Sequence, residues 1–365
     1  MQGDFEIFLA TLPGLEAELA AEARETGFPL PEVQPGGVTI RGGWPEVWRA
    51  NLDLRGASRV LARIGGFPVF HIAQLDKRAR KIDWRAVFRA DVPVKVEATC
   101  RRSKVWHDRA AAERIAGALG AAGVPLGEGG LRLSARIEDN YCTLSVDTSG
   151  APLHQRGHKQ AVGKAPLRET MAALFLRSSG YTGTEPVVDP MCGSGTFVIE
   201  AAEIAMGLAP GRSRSFAFER LASFDAEAWA AMTAARRPCA TDLRFHGFDR
   251  DAGAVRLATE NATRAGVAEI CGFKRQTISD LIPPDGPPGL LIANPPYGGR
   301  VGDTRALYAL YGAFGAVLRE RFAGWRAGIV TSEPALARAT GLALHEGPPV
   351  PHGGLKVRLY RTGVL

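Results

Sequence analysis

The sequence predicts an α/β protein: a doubly wound, mostly parallel sheet over roughly the last two hundred residues, preceded by two smaller α+β units. Three observations point there. From about residue 165, short buried-strand runs alternate with helical runs, as repeated strand–helix–strand units require. Before that, strand and helix alternate on a shorter scale. A chain of 365 residues, 45% apolar and 23% charged, has material for two or three domains of ordinary globular composition.

Taken in order, FEIFLAT (5–11) reads as a strand, Pro13-Gly14 as a turn, and LEAELAAEARETG as a helix closed by Gly27. GGVTIRG (36–42) is the next strand and WPEVWRANL the next helix, which completes a compact unit over 1–57. A second unit, 58–150, holds a helical stretch with KRARK (77–81). Its strands are VPVKVEATC (92–100) and YCTLSVDTS (141–149), with the helix DRAAAERIAGALGAAG between them. APLHQRGHKQAVGKAP (151–166) lacks apolar periodicity and reads as a basic linker. The third unit, 167–365, opens with the helix LRETMAALFLRSSG. There PVVDP, FHGFD, GLLIA and RAGIVTS read as buried strands, with a helix after each of the first three. GLKVRLYR (354–361) is a terminal strand of antiparallel type, and the stretch 207–241 reads as an insertion between the first helix and the second strand.

The charge is uneven. Residues 1–60 carry 5 basic and 9 acidic side chains, residues 61–164 carry 18 and 10, and residues 165–365 carry 22 and 19. A positive excess in the middle suits a polyanion, although an arginine-rich genome composition gives the same count. The 5 cysteines are scattered without a CxxC pair, which argues against a zinc site or a disulfide framework and for a reducing cytoplasm. No 18-residue apolar run predicts a membrane span, and the N-terminus does not read as a signal peptide.

Open α/β sheets bind ligands at the carboxyl ends of their strands. Three polar stations fall there. The first is Asp189-Pro190-Met191-Cys192-Gly193-Ser194-Gly195-Thr196: an acid leaves a strand, glycines permit close backbone approach, and a helix presents free N–H groups. It matches neither the dinucleotide nor the phosphate-loop pattern, and a structural turn is the plain alternative. Asp189, Pro190, Cys192, Gly193, Gly195 and Thr196 are its candidate contacts. The second is Gly247-Phe248-Asp249-Arg250-Asp251, where Asp249 suits a ribose diol and Asp251 reads either as a second contact or as a helix cap. The acid follows the glycines by about fifty residues, not the usual twenty or so. The third is Asp280, a candidate acceptor for an adenine amino group or a solvated loop acid. With no lysine for phosphates in the first loop and a carboxylate beside it, the stations suit an adenosine bearing an amino acid, as in S-adenosylmethionine.

After the third strand comes Asn294-Pro295-Pro296-Tyr297. The Asn294 side-chain oxygen and the Pro295 carbonyl can accept hydrogen bonds from an exocyclic amine and stabilise the positive charge it gains on methylation. The prolines fix the loop, and Tyr297 can stack on an extruded base; the alternative is a proline-rich loop with Tyr297 packed inward.

DPMCGSGTFVIEAA, HGFDRD, ATENATRAGV and NPPYGGR resemble class I S-adenosylmethionine-dependent N-methyltransferases. LHQRGHKQAVGKAPLRETMAAL resembles the lead-in segment of THUMP-containing RNA methyltransferases, and FLATLPGLEAEL and PGGVTIRG extend the likeness to the guanine-N2 methyltransferase part of the RlmL type. The resemblance implies a Rossmann-like domain with a mostly parallel seven-stranded sheet over 167–365, a ferredoxin-like unit over 1–57 and a THUMP domain over 58–150. It implies cofactor contacts at Asp189, Gly193, Gly195, Asp249 and Asp280, with Glu169 and Thr170 toward the methionine end, and amino-group contacts at Asn294 and Pro295. The implied partner is structured RNA, rRNA or tRNA, reached through Arg101, Arg102, Lys104, Trp106 and Arg109, with no metal and a single modification. Those basic residues read equally as an ordinary solvated turn. The leading reading is a 23S rRNA guanine-N2 methyltransferase. A tRNA enzyme of the same architecture, a DNA adenine-N6 methyltransferase and a non-catalytic RNA-binding assembly factor are the alternatives.

Overall fold

The computed structural model describes residues 3–159, 167–298 and 304–365. Its described residues fall into two compact units, one of Met1–Thr11, Ala20–Leu153 and Arg214–Ala235, the other of Leu12–Leu19, His154–Ser213 and Arg236–Leu365.

The front of the chain runs β1 (Phe5–Ala10), α1 (Glu16–Glu25), β2 (Glu32–Gln34), β3 (Gly37–Gly42), α2 (Trp44–Asp53), β4 (Arg59–Pro68), α3 (Ile72–Ala79), β5 (Val94–Arg101), α4 (Asp108–Ala121), β6 (Leu131–Glu138) and β7 (Tyr141–Asp147). The seven strands make one sheet in the order β2-β3-β1-β4-β7-β6-β5. All described pairings are antiparallel except β5 with β6. Alternation sets its inner face: Leu131, Leu133, Ala135 and Ile137 of β6 are buried and Arg132 and Arg136 between them are exposed, the period-two pattern of a half-buried strand. Four strands lie in 58–150, where the sequence reading places two. The unread pair are β4, which carries Gly65-Gly66, and β6, whose outward face is arginine-rich. Glycine and charge hide strand propensity until pairing partners are supplied.

The rest of the chain runs α5 (Glu169–Ser178), β8 (Val187–Asp189), α6 (Thr196–Ala205), α7 (Ala226–Ala234), β9 (Phe245–Asp249), α8 (Ala252–Ala265), β10 (Cys271–Arg275), β11 (Leu290–Ala293), α9 (Thr304–Arg321), β12 (Arg326–Thr331), α10 (Pro334–Ala339), β13 (His345–Glu346), β14 (Val350–His352) and β15 (Leu355–Val364). The strand order is β10-β9-β8-β11-β12-β15-β13, with β14 paired to β15 off this path. The first five are parallel and β15 is antiparallel to β12. Seven strands lie along the path, as the resemblance implies, and β14 makes an eighth. β11 is buried at every position, as a strand covered on both faces must be. Leu307, Tyr311, Phe314 and Leu318 of α9 recur at helical spacing and pack into one cluster with Leu291, Ala293 and Ile329.

Residues 214–235 of the insertion are ordered by aromatic packing within the first unit. Phe218 lies 6.1 Å from Trp48 and 5.0 Å from Trp229, and Phe224 lies 5.9 Å from Trp48. Phe218 N donates to the Thr148 carbonyl. The described part of the segment read as a linker, 151–159, is also packed: Leu153, Arg156 and His158 are buried. Residues 160–166 lie outside the described residues.

Candidate cofactor and active site

β8 starts in the middle of the parallel sheet, with β9 to one side and β11 to the other. The winding order therefore switches between β8 and β11, the point at which open α/β sheets bind ligands outside the carboxyl ends of their strands. Asp189 ends β8, Asp249 ends β9, and Asn294 follows β11. Parallel register sets Asp189 beside Gly247 and Val188 beside Leu291, which brings residues far apart in sequence to one rim.

The glycine loop is wired to its neighbours. Cys192 N donates to the Phe248 carbonyl, and Gly193 N donates to Asp249 Oδ2 at 3.0 Å. Met191 N donates to Asp189 Oδ1. Asn261 of α8 donates to the Ser194 carbonyl at 3.0 Å. Gly195 has φ +82°, and a Cβ there would sit 3.0 Å from the Ala258 Cβ, so conformation and space both call for glycine. A Cβ at Gly193 would meet nothing within 4 Å; the loop faces open space there. Asp189 is 2% exposed, and burial, reinforced by the nearby Asp249 carboxylate, pushes its pKa up to about 8 against the pull of the Met191 N–H. A carboxylate so placed gains from a cationic ligand.

Asp249 is half-buried, and its second oxygen accepts from Asp251 N, which leaves lone pairs for a diol. Asp251 itself caps α8 through Gly253 N at 2.7 Å, the helix-cap role left open by its sequence. Asp280 is exposed and accepts from the Thr277 hydroxyl; Gln276 N of the same turn donates to the Asp249 carbonyl and ties the third station to the second.

In the NPPY turn Pro295 is buried, and Asn294 Oδ1 is buried with no hydrogen-bond partner among the described residues. An acceptor stranded this way costs about 1–3 kcal/mol, a cost a bound amino group would remove. Tyr297 is half-buried against the apolar cluster of α9 and β12, and burial pushes its phenol up to about 12. Its ring is thus partly committed to the protein, between the two alternatives its sequence offers. Residues 299–300 of NPPYGGR lie outside the described residues.

Glu169 and Thr170 open α5 and are buried. Glu169 Oε1 lies 3.2 Å from Lys159 Nζ, which also donates to Thr196 Oγ1 at 3.0 Å. Lys159 was not among the sequence candidates; it sat inside an apparently unstructured basic run. Cys192 is buried and its thiol is pushed well above the usual range, so it offers packing and no nucleophile. Among the described residues no group of His, Cys, Asp and Glu is placed to hold a metal ion. The orphaned Asn294 oxygen, the open space at Gly193 and the Asp189 and Asp249 carboxylates fit the amino-acid-bearing adenosine expected from the sequence.

The basic candidates lie in the first unit, at and after the end of β5. Arg101 is exposed. Arg102 pairs with Glu138 at 2.8 Å and Asp139 at 3.0 Å, and Arg109 with Glu113 at 3.0 Å. Lys104 Nζ stands 5.6 Å from the Phe70 ring centre, and Trp106 is 75% exposed. Exposed Phe70 and Tyr141 were not read from the sequence; isolated aromatics carry no signal until strand pairing places Tyr141 opposite Glu138 and Pro68. Four of the five candidates are cations, but two of these already hold acids, so the local field is weaker than the count of basic residues suggests.

The fold and this rim define a class I methyltransferase. Residues 156–356 match the family model described as RMKL-like, methyltransferase domain, and residues 6–61 match the RlmL ferredoxin-like domain. The chain belongs to this RMKL-like family of S-adenosylmethionine-dependent methyltransferases. It is 31% identical to a Synechocystis protein described as an RNA methyltransferase, over 97% of this chain and 95% of that one. It is 36% identical to the ribosomal RNA large subunit methyltransferase K/L of Syntrophotalea carbinolica over 96% of this chain, and spans about half (53%) of that relative. A solved structure of a protein described as a methyltransferase, complexed with SAH, superposes with TM-score 0.90 at 29% identity, covering 100% of this chain and 99% of that one. No described helix is long and apolar enough to cross a membrane.

Proposed function

We propose that the chain methylates the exocyclic N2 amino group of a guanosine in RNA, with 23S rRNA as the favoured substrate. The observation that carries the reading is the buried Asn294 oxygen, unpartnered among the described residues, in a proline-fixed turn at the sheet's switch point. Bound S-adenosylmethionine supplies an electrophilic methyl group. Asn294 Oδ1 and the Pro295 carbonyl accept the two N–H bonds of the amine, turn its lone pair outward and offset the positive charge that develops on nitrogen. Asp249 holds the ribose, Asp280 the adenine edge, and Asp189 with the Gly193–Thr196 loop the amino-acid end. Pro296 stiffens the turn, and the exposed face of Tyr297 stacks on the extruded base. No general base is needed, since the methylated amine sheds its proton readily.

The large-subunit rRNA substrate of the K/L relatives and the RNA of the Synechocystis relative support the choice of polymer. We assign 1–57 as the ferredoxin-like unit, 58–150 as the THUMP-type RNA reader and 167–365 as the catalytic domain, working in the cytoplasm. The test is transfer of labelled methyl to unmodified 23S rRNA and to bulk tRNA, with nucleoside mass mapping. N2-methylguanosine in 23S rRNA is the expected product. Label confined to tRNA moves the substrate, label on adenine N6 changes the chemistry, and SAH binding without transfer to any RNA ends the enzymatic reading.

A further inference from the structure

The basic run before the catalytic domain is pinned along one side of α6. Arg156 pairs with Glu200 at 3.2 Å, each side chain 2% exposed, and His158 Nδ1 lies 3.8 Å from Glu203. Glu200 and Glu203 stand three residues apart on α6 and so share a face. Arg264 of α8 donates to the His158 carbonyl at 2.7 Å. At the end of this run Lys159 is 9% exposed, and its ammonium meets three acceptors: the Leu167 carbonyl at 3.0 Å, Thr196 Oγ1 at 3.0 Å and Glu169 Oε1 at 3.2 Å.

The ammonium donates two hydrogen bonds, to the Leu167 carbonyl and to Thr196 Oγ1, and forms an ion pair with Glu169. Lys159 is thereby committed to partners within the protein. It acts on two groups that do have capacity. Thr196 Oγ1, at the first residue of α6, is forced to accept from Lys159, so its own proton is directed elsewhere, toward Ser194 Oγ at 3.4 Å or toward a ligand carboxylate. Glu169 meets Lys159 through Oε1, and its other oxygen, with no partner among the described residues, can receive an ammonium.

We infer that Lys159 is a positioning residue for the amino-acid end of the cofactor: it sets the Thr196 hydroxyl as a donor and the Glu169 carboxylate as an acceptor for a zwitterion. This rests on the reading of the Gly193–Thr196 loop given above. Lys159→Met keeps an unbranched side chain, shorter by the terminal atom, and removes its charge and its donors. Calorimetry with SAH and with 5′-methylthioadenosine, which lacks the amino-acid end, reads the effect directly. Wild-type protein that binds neither ligand would sink the cofactor site itself. With wild-type binding in hand, Lys159→Met is expected to weaken SAH tenfold or more and methylthioadenosine less than twofold. In turnover, KM for S-adenosylmethionine is expected to rise while KM for RNA stays constant. Equal losses for both ligands, or no loss for SAH, overturn the inference. If Lys159→Met fails to show a cooperative melt, Thr196→Val carries the same test with the same two outcomes, since it removes the hydroxyl that Lys159 orients.

Discussion

The rim of the parallel sheet and the end of β5 are both rich in polar side chains, and they are built in opposite ways. At the rim, most of the polar groups are buried or half-buried and are bound to the backbone of neighbouring loops: Asp249 to Gly193, Asn261 to Ser194, Lys159 to Leu167. At the end of β5, Arg102, Lys104, Trp106 and Arg109 stand in solvent, and the partners of the cations among them are exposed or half-buried acids or a ring. Exposed ion pairs contribute little to stability and exchange partners readily, whereas a buried polar group has one arrangement or a large cost. The first region suits a small ligand of fixed shape, the second a flexible polyanion.

If the contrast is right, substitutions should separate in kind as well as size. Asn294→Ala is expected to lower kcat by about two to three orders of magnitude, the typical cost of removing a preorganised acceptor or donor at a transition state. SAH affinity by calorimetry should stay near wild type; a parallel loss of affinity would make Asn294 part of the cofactor floor instead. Asp249→Ala removes both the candidate ribose acceptor and the partner of Gly193, and should weaken SAH by about ten- to a hundredfold, roughly 1.4 to 2.8 kcal/mol. Unchanged SAH affinity would detach the second station from the cofactor.

Asp189 sharpens the contrast through pH. Its folded pKa of about 8 lies above the ordinary 3.8, so the folded protein holds a proton that the unfolded chain releases. The contribution is full below the unfolded value and declines as pH rises from about 4 through about 8. Ligand-free Asp189→Asn should lose that decline, melting closer to wild type at pH 5 and above it at pH 8 by differential scanning. A wild-type melting temperature that rises over this window by Asp189's doing would contradict the buried-acid description. At the exposed end, Arg101→Ala with Arg102→Ala should weaken RNA binding about equally across sequences and cut the slope of log K against log salt by up to about 2, with catalysis at saturating RNA kept. A constant slope would take this surface off the RNA path. Smallest of all, Tyr297→Phe should change kcat/KM less than about twofold, because stacking needs the ring and not the hydroxyl.

The two regions also differ in how far they can be read from the residues alone. β9 and β11 begin and end within a residue of the runs FHGFD and GLLIA, because buried parallel strands are bounded apolar runs. DPMCGSGT and NPPY announce their chemistry through residue types that few structural turns need together. β4 and β6 escaped because glycine and arginine obscure strand character, and Phe70 and Tyr141 because their neighbours come from other strands. Lys159 escaped for a related reason: a basic run without periodicity looks solvated until Glu169 and Thr196, from two helices, are set around it.

The residues by themselves fixed the alternation of strand and helix, the glycine loop, the acids at the strand ends and the amide–proline turn, since each depends on interactions within a few positions. Only tertiary structure decided which acids cap helices, that the Asn294 oxygen lacks a partner among the described residues, and that Arg102 is already paired. Burial and long-range hydrogen bonding are properties of the packed chain, and no local window of sequence contains them.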